Sequence, residues 1–451
     1  MRLDLTALRK SFRGTVVSSF DPGYEAARVL FNTRIRTRPA VLCRCADSQD
    51  VVTAMRFARE AGLPVAVRGG GHHASGLSLV DGGVVIDLGG LRTVALDREA
   101  AVVTAGAGAG WREIDRVTYA AGLAAPGGEC PTVSNAGFSL GGGYGLLSRA
   151  FGLGCDHIAE AEFVDAGGRV LRVTEDEHPD LLWALRGAGG AGLGVVTNLR
   201  YRLDKVLATM VGGFISWPID QASSVLRFYR DLYADRDDER LALCLLLSAD
   251  PSPEISMYGL YIGPVGEAAT ALAPVRSFGK PSMDTFGEMS YLDMMHALGE
   301  EIPYGLQSRW RGGYFQDRGL DDAAIDIMLE RFARVPSAYS MIRFDLLAGG
   351  AVARVRPDAT AFVHRSALHY VSVISLWQED AETAANMAWA DDLADALRPH
   401  LTGEVYQNYA DSSLEDWPSA YYGANYPRLQ QIKQRYDPDD FFHHAQSIRL
   451  P

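Results

Sequence analysis

Two stretches of this chain set a reactive side chain beside bare backbone. Residues 67–76 read VRGGGHHASG, and residues 127–156 read GGECPTVSNAGFSLGGGYGLLSRAFGLGCD. An imidazole can act as base or nucleophile near neutral pH, and a thiol among backbone dipoles can be held as thiolate. Glycine permits positive φ and brings N–H groups close to a phosphate or a flat ring. A nucleophile beside glycine, occurring twice, points to a large cofactor attached at two points. Taken singly, each stretch is also explained by a tight turn with incidental histidines or by a small buried cysteine. A third candidate is Tyr406-Gln407-Asn408-Tyr409. A tyrosine acts as base only if neighbours lower its pKa of about 10, and packing is the plain alternative.

Several chemistries fit less well. A dinucleotide fingerprint needs G-x-G-x-x-G between a strand and a helix, and HHASGLSLVDGG after Gly71 does not open a helix. Adjacent His72 and His73 face opposite ways in extended backbone, and no carboxylate-rich motif joins them, so no metal is expected. Cys43 and Cys45 lack a second pair at zinc spacing, and five cysteines do not make a disulfide framework in a chain of this length. A cysteine hydrolase would need a histidine base and an orienting group, which the sequence leaves open. The net charge of −13 argues against non-specific nucleic-acid binding and against an anionic membrane surface. No run of 18 apolar residues occurs, and MRLDLTALRKSFRG has no apolar leader core, so a cytoplasmic protein is expected.

The elements that must position these residues are legible in outline. With 451 residues the chain holds two ordinary domains or one large composite. Residues 48–63 read as a helix with Ser48 as N-cap, followed by a strand at 64–67 that runs into the glycines. Further strands are read at 83–88, 93–96 and 101–104, a helix at 113–123, and a hairpin over 161–173 turning at 166–168. Near residue 205 the glycine density falls. Strands at 210–216 and 241–247 and amphipathic helices at 321–335 and 381–397 follow. The division expected is 1–205, an inserted α+β domain over 206–404, and a segment 405–451 that returns to the first part.

In their order these motifs resemble the berberine bridge enzyme-like FAD-linked oxidases, within the vanillyl-alcohol oxidase/para-cresol methylhydroxylase flavoprotein superfamily. The resemblance rests on VRGGGHHASG, AGAGAGWREI, GGECPTVSNAGFSLGGGYGLLSRAFGLGCDHI, LLWALRGAGGAGLGVVT, GGAVARVRPDATAFVHR, YQNYAD and RLQQIKQRYDPDDFFHHAQSI. It implies an α+β fold. Two α+β subdomains hold FAD, and an antiparallel sheet backed by helices forms a substrate domain. It implies FAD bonded at its 8α-methyl carbon to His72 and at C6 to Cys130. Further FAD contacts are implied for Arg68, Gly69, Gly70, Gly71, His73 and Gly76 in the first loop. In the second loop they fall on Gly128, Val133, Gly137, Leu140, Gly142, Gly143 and Gly145. Asp156, Ile158, Gly194, Val196 and Asn408 complete the set.

The same resemblance makes Tyr409 the catalytic base and places Tyr406 in the pocket. The positive potential near the oxidised ring, or a nearby cation such as Arg309 or Arg311, is expected to favour a Tyr409 phenolate, and Trp310, His364 and Trp377 are further candidates for the substrate pocket. The implied reaction moves hydride from a secondary alcohol of a sugar or natural product to flavin N5. Molecular oxygen, the second small-molecule partner, is then reduced to hydrogen peroxide. Val133 tilts the reading toward an oxidase. Oxidative cyclisation or desaturation by the same flavin, and a flavin-binding protein without turnover, are the alternatives. The chain departs from the family pattern at Ser134, expected to narrow the oxygen path, at Ala191-Gly192-Leu193, and at Asp440.

Overall fold

The structure is a computed structural model and describes residues 3–233, 238–249, 253–300, 304–316, 320–346, 349–367 and 369–451. The first sheet begins with Thr15–Ser18 antiparallel to Val41–Arg44, which runs parallel to Val84–Asp87 and then Val65–Arg68. Helix Ser48–Ala61 lies between its second and third strands in the chain. Its cap is Asp47, one residue before the Ser48 expected: the carboxylate accepts from Asp50 N at 2.9 Å. A charged acceptor suits the positive end of the helix better than a hydroxyl. Strand Val65–Arg68 runs straight into Gly69. Arg68 is buried and ion-paired to Asp87 on the neighbouring strand at 2.7 Å, which pins the start of the glycine loop.

The second sheet is antiparallel, in the order Val94–Asp97, Val102–Gly106, Val195–Arg202, Ile158–Val164, Val170–Val173. The helix read at 113–123 spans Trp111–Tyr119 instead, and Leu123–Ala124 is a short strand paired with Asp204–Lys205. It starts early because Glu113 reaches back to Gly110 N at 2.9 Å, closing the first turn.

The third sheet carries Met210–Pro218, Glu254–Tyr261, Leu241–Ser248, Met341–Asp345, Tyr370–Trp377 and Gln307–Tyr314 in that spatial order, all antiparallel. Alternation along the strands gives it two faces. Arg309, Arg311 and Trp377 turn to helix Thr383–Leu397: both arginines lie 2.7 Å from Asp391, and Trp377 Nε1 donates to Thr383 Oγ1 at 3.0 Å. Trp310, Arg343, Asp345 and Tyr370 turn the other way, toward the glycine loops.

The last residues pack back on the first half. Lys433, on helix Tyr426–Tyr436, is fully buried; its Nζ donates to Gly192 O at 2.7 Å and Phe442 O at 2.8 Å. It also pairs with Asp437 at 2.7 Å and Asp440 at 2.8 Å. Two departures from the family pattern, at 191–193 and at 440, therefore meet on one ammonium. Among the described residues, no helix is long and apolar enough to cross a membrane.

A second buried pair fastens the end of the second glycine loop: Arg365 donates to both oxygens of Asp156 at 2.8 Å. Burial alone would raise the Asp156 carboxyl, but Arg365 outweighs it and holds the pKa below the usual range. A depressed folded pKa gives stability that is complete above the unfolded carboxylate value and is lost as pH falls through the folded one. Arg365→Met should therefore cost about 3–5 kcal/mol near neutral pH, read as a lower Tm. The gap to wild type should narrow as the pH is lowered.

Candidate active site

The two glycine loops lie directly on each other. A Cβ on Gly69 would stand 2.3 Å from Ser134 Oγ, and one on Gly70 would stand 2.7 Å from Thr132 O and 2.8 Å from Ser134 N. Gly70 N donates to Ser134 Oγ at 2.9 Å. Ser134, expected to narrow an oxygen path, thus has its hydroxyl engaged as the fastener between the loops. Gly71 then turns with φ +77°, open to glycine without strain.

This contact carries the two candidate anchors to one point. His72 Nε2 lies 2.8 Å from Thr132 Oγ1, and Cys130 Sγ lies 3.5 Å from the same oxygen. Tyr304 OH is 3.2 Å from Thr132 Oγ1 and 3.8 Å from Cys130 Sγ. Phe31 stacks on the His72 ring with centroids 4.5 Å apart. His73 points elsewhere, with Nδ1 accepting from Ser75 N at 3.3 Å. Burial lowers His72 to about 4; burial and then the neighbouring His444 lower His73 to about 4. Near pH 7 both rings are neutral, the form in which one nitrogen is a nucleophile. Among the described residues, no group of three or more His, Cys, Asp or Glu is placed to hold a metal ion.

Tyr406 shapes the second loop. Its hydroxyl accepts from Gly143 N at 2.9 Å, Tyr144 N at 3.3 Å and Asn408 Nδ2 at 2.8 Å. Asn408 also donates to Phe138 O at 2.8 Å, and its Oδ1 stands 1.9 Å from where a Cβ on Gly141 would be. Gly142 underlies Phe362 and Tyr406, Gly143 and Gly128 underlie Phe138, and Gly145 presses on Gly127 O. Leu140 O accepts from Gly187 N at 3.0 Å and Gly189 N at 2.6 Å. Gly76 packs on Ile35 and Gly194 on Phe163. Gly137 is exposed, Val133 is half-buried, and Ile158 and Val196 are core.

Tyr409 is half-buried among aromatic rings. Tyr406, Trp310 and Tyr370 stand 5.0, 5.3 and 5.7 Å away between centroids. Burial first, and then the charge of Asp345, push its pKa well above the usual phenol; Arg343 opposes them, and Tyr406 and Glu129 add to the rise. The protein groups alone favour the neutral phenol over the phenolate expected. The cation near Tyr409 is Arg343, while Arg309 and Arg311 face helix Thr383–Leu397 and are held by Asp391, Asp395 and Asp411. Arg343 lies between two carboxylates, 2.7 Å from Asp345 and 3.0 Å from Glu129. Burial, against the pull of Arg343, raises the Glu129 carboxyl. Trp377 lies on the far face of the sheet. His364 stacks on Tyr314 at 4.7 Å, with Nδ1 3.7 Å from Glu404 Oε2.

Sequence reasoning did not single out Thr132, Glu129, Tyr144, Tyr304, Arg343 or Asp345. Glu129 and Thr132 flank Cys130 within its own motif, and Tyr144 sits inside GGGYG with its OH 3.4 Å from Cys244 Sγ. Arg343 and Asp345 alternate on a short strand, the pattern of two polar groups sharing one face.

The residues at the rim fit a flavin. A neutral imidazole and a thiol converge on one hydroxyl, above loops whose mutual approach only glycine allows. A fold and site of this kind define a flavin-dependent oxidoreductase. The comparisons agree. A family model described as an FAD binding domain matches residues 39–174, and one described as berberine and berberine like matches 405–449. The chain is 31% identical to the FAD-linked oxidoreductase YgaK of Bacillus subtilis, covering 96% of each chain. It is 28% identical to (R)-6-hydroxynicotine oxidase of Paenarthrobacter nicotinovorans, covering 97% of each. The xylooligosaccharide oxidase of Myceliophthora thermophila, solved in complex with xylobiose, superposes with a TM-score of 0.88 at 25% identity over 98% of each chain. The chain belongs to the berberine bridge enzyme-like family of FAD-linked oxidoreductases.

Arg343→Met would leave Glu129 and Asp345 without their shared cation, at a cost of about 3–5 kcal/mol. An unpaired buried carboxyl has a raised folded pKa and binds a proton before the unfolded chain does. The deficit in Tm should therefore shrink as the pH falls toward the carboxylate range.

Proposed function

We propose that this protein is an oxidase of a secondary alcohol on a sugar or natural-product scaffold, with FAD held through both His72 and Cys130 and with oxygen as electron acceptor. When bound, FAD supplies the hydride acceptor at N5 and returns the electron pair to oxygen, releasing hydrogen peroxide. The observation that carries the reading is the placement of Tyr409. It lies between the glycine loops and the polar face of the third sheet, with Trp310 and Tyr370 as neighbouring rings. Such rings offer flat apolar surface to a sugar or polycyclic scaffold.

A neutral phenol takes a proton only if it releases its own. Asp345, fully buried and on the sheet face turned to the glycine loops, is the strongest charge acting on Tyr409 and is the acceptor we assign to that proton. The substrate hydroxyl donates to Tyr409 Oη while the Tyr409 proton moves toward Asp345. Arg343, paired to both carboxylates, fixes the position of Asp345. Tyr406 positions the loop under the ring through the three donors on its oxygen. Carbon–nitrogen desaturation is the second reading. It is favoured by the two carboxylates facing a single guanidinium, which suit a cationic nitrogen, and by the likeness to the nicotine-type oxidase.

Three measurements test this. Acid-precipitated protein should stay yellow, and His72→Ala and Cys130→Ala should each lose one link by mass spectrometry of flavopeptides; a colourless pellet sinks the anchoring. Tyr409→Phe should lower kcat by about 10²–10⁴-fold, and unchanged turnover removes it as base. Peroxide release from a panel of alcohols and amines decides between the two readings.

A further inference from the structure

We propose that Thr132 is the positioning residue for covalent flavin attachment, holding His72 in the reactive tautomer and carrying away the proton that the linkage displaces. The inference rests on the bicovalent reading above and goes beyond it, because neither anchor explains how it is activated.

His72 has two ring nitrogens, and only one is engaged by the protein. Nε2 lies 2.8 Å from Thr132 Oγ1, while the ring face is held by Phe31. Burial keeps the imidazole neutral near pH 7, with a single N–H. With Thr132 Oγ1 accepting from Nε2 at 2.8 Å, as the proposal requires, the N–H sits on Nε2 and Nδ1 keeps its lone pair. Joining Nδ1 to the 8α-methyl carbon forms one C–N bond and breaks one C–H bond. The methyl proton leaves, and the C–H electron pair passes to the flavin ring and then to molecular oxygen, giving one hydrogen peroxide per link. The alkylated imidazole then carries one proton too many, and it sits on Nε2, beside Thr132.

Thr132 Oγ1 is 3.2 Å from Tyr304 OH, and Thr132 and Tyr304 both line a surface groove of about 520 Å³ that also holds Glu113 and His296. Thr132 is itself exposed. The proton thus passes from a half-buried ring to a hydroxyl in contact with solvent. The same oxygen lies 3.5 Å from Cys130 Sγ, whose proton must also leave when the C–S bond to C6 replaces a C–H bond. One side chain serves both anchors because the glycine contact places them on either side of it.

The test is reconstitution of FAD-free protein with FAD in aerated buffer, following covalent flavin by intact mass and by in-gel fluorescence and absorbance across pH. Thr132→Val, which keeps the shape and removes the hydroxyl, should bind FAD yet attach it at His72 at least about tenfold more slowly near pH 7, the worth of one hydrogen bond. The deficit should shrink as the pH rises and hydroxide takes the proton, and Thr132→Ser should restore the wild-type rate. Tyr304→Phe, which leaves the loops untouched, should slow attachment in the same pH-dependent way. Attachment at wild-type rates across pH in both Thr132→Val and Tyr304→Phe overturns the proposal. So does a Thr132→Val deficit that does not change with pH or is not rescued by Thr132→Ser. Wild-type protein that releases all its FAD in acid would instead overturn the covalent reading itself, which this control detects separately.

Discussion

The closeness of two glycine loops governs the rest of this molecule. Where Gly69 and Gly70 meet residues 132–134, any Cβ would stand under 3 Å from Ser134 or from the Thr132 carbonyl. At Gly69 the Ser134 hydroxyl could rotate aside, but at Gly70 the close atoms are backbone, and that contact is relieved only by moving one loop away from the other. Cys130 stands two residues from Thr132 in the chain, and this contact brings His72, 60 residues away, to the same hydroxyl. Each loop is anchored at its far side, the first by the buried Arg68–Asp87 pair and the second by Tyr406 and by Asp156–Arg365. Rigid ends and a bare-backbone contact between them turn two remote nucleophiles into one site.

Electrostatics on the facing sheet follow from strand alternation. Residues 309, 311 and 377 share the face that helix Thr383–Leu397 covers, so two arginines that look available in the sequence are held by aspartates there. Residues 343 and 345 fall on the other face and put one guanidinium between two carboxylates. Burial and that excess of negative charge hold Tyr409 as a phenol. Tyr406 is engaged in shaping the loop beneath it.

Much of the scaffold was readable because its signals are local. Apolar runs bounded by glycine marked Val65–Arg68 and Val84–Asp87, and acidic residues at or just before the start of an apolar stripe marked helices Asp322–Phe332 and Thr383–Leu397. Element edges moved by a residue or two where a side chain decided them, as with Asp47 at one cap and Glu113 at another. The motif residues of the site were readable too, since nucleophile and glycine adjoin in the chain. Arg343 and Asp345 were not, because nothing local distinguishes a polar pair on a site-facing strand from one on a solvent-facing strand. Thr132 was passed over within the motif itself, because its meaning comes from His72, 60 residues away.

The sequence alone determined the class of fold and the flavoprotein family, and it marked His72 and Cys130 as candidate nucleophiles, since residue type and near spacing carry that information. Only the tertiary structure decided which groups face one another. It chose Arg343 over Arg309 and Arg311 as the cation near Tyr409, gave Ser134 its part as a fastener, and joined the departures at 191–193 and 440 through Lys433. The physical reason is that charge and hydrogen-bond effects fall off within a few ångströms. They depend on which strand face and which loop come into contact, and that is set by packing between segments hundreds of residues apart.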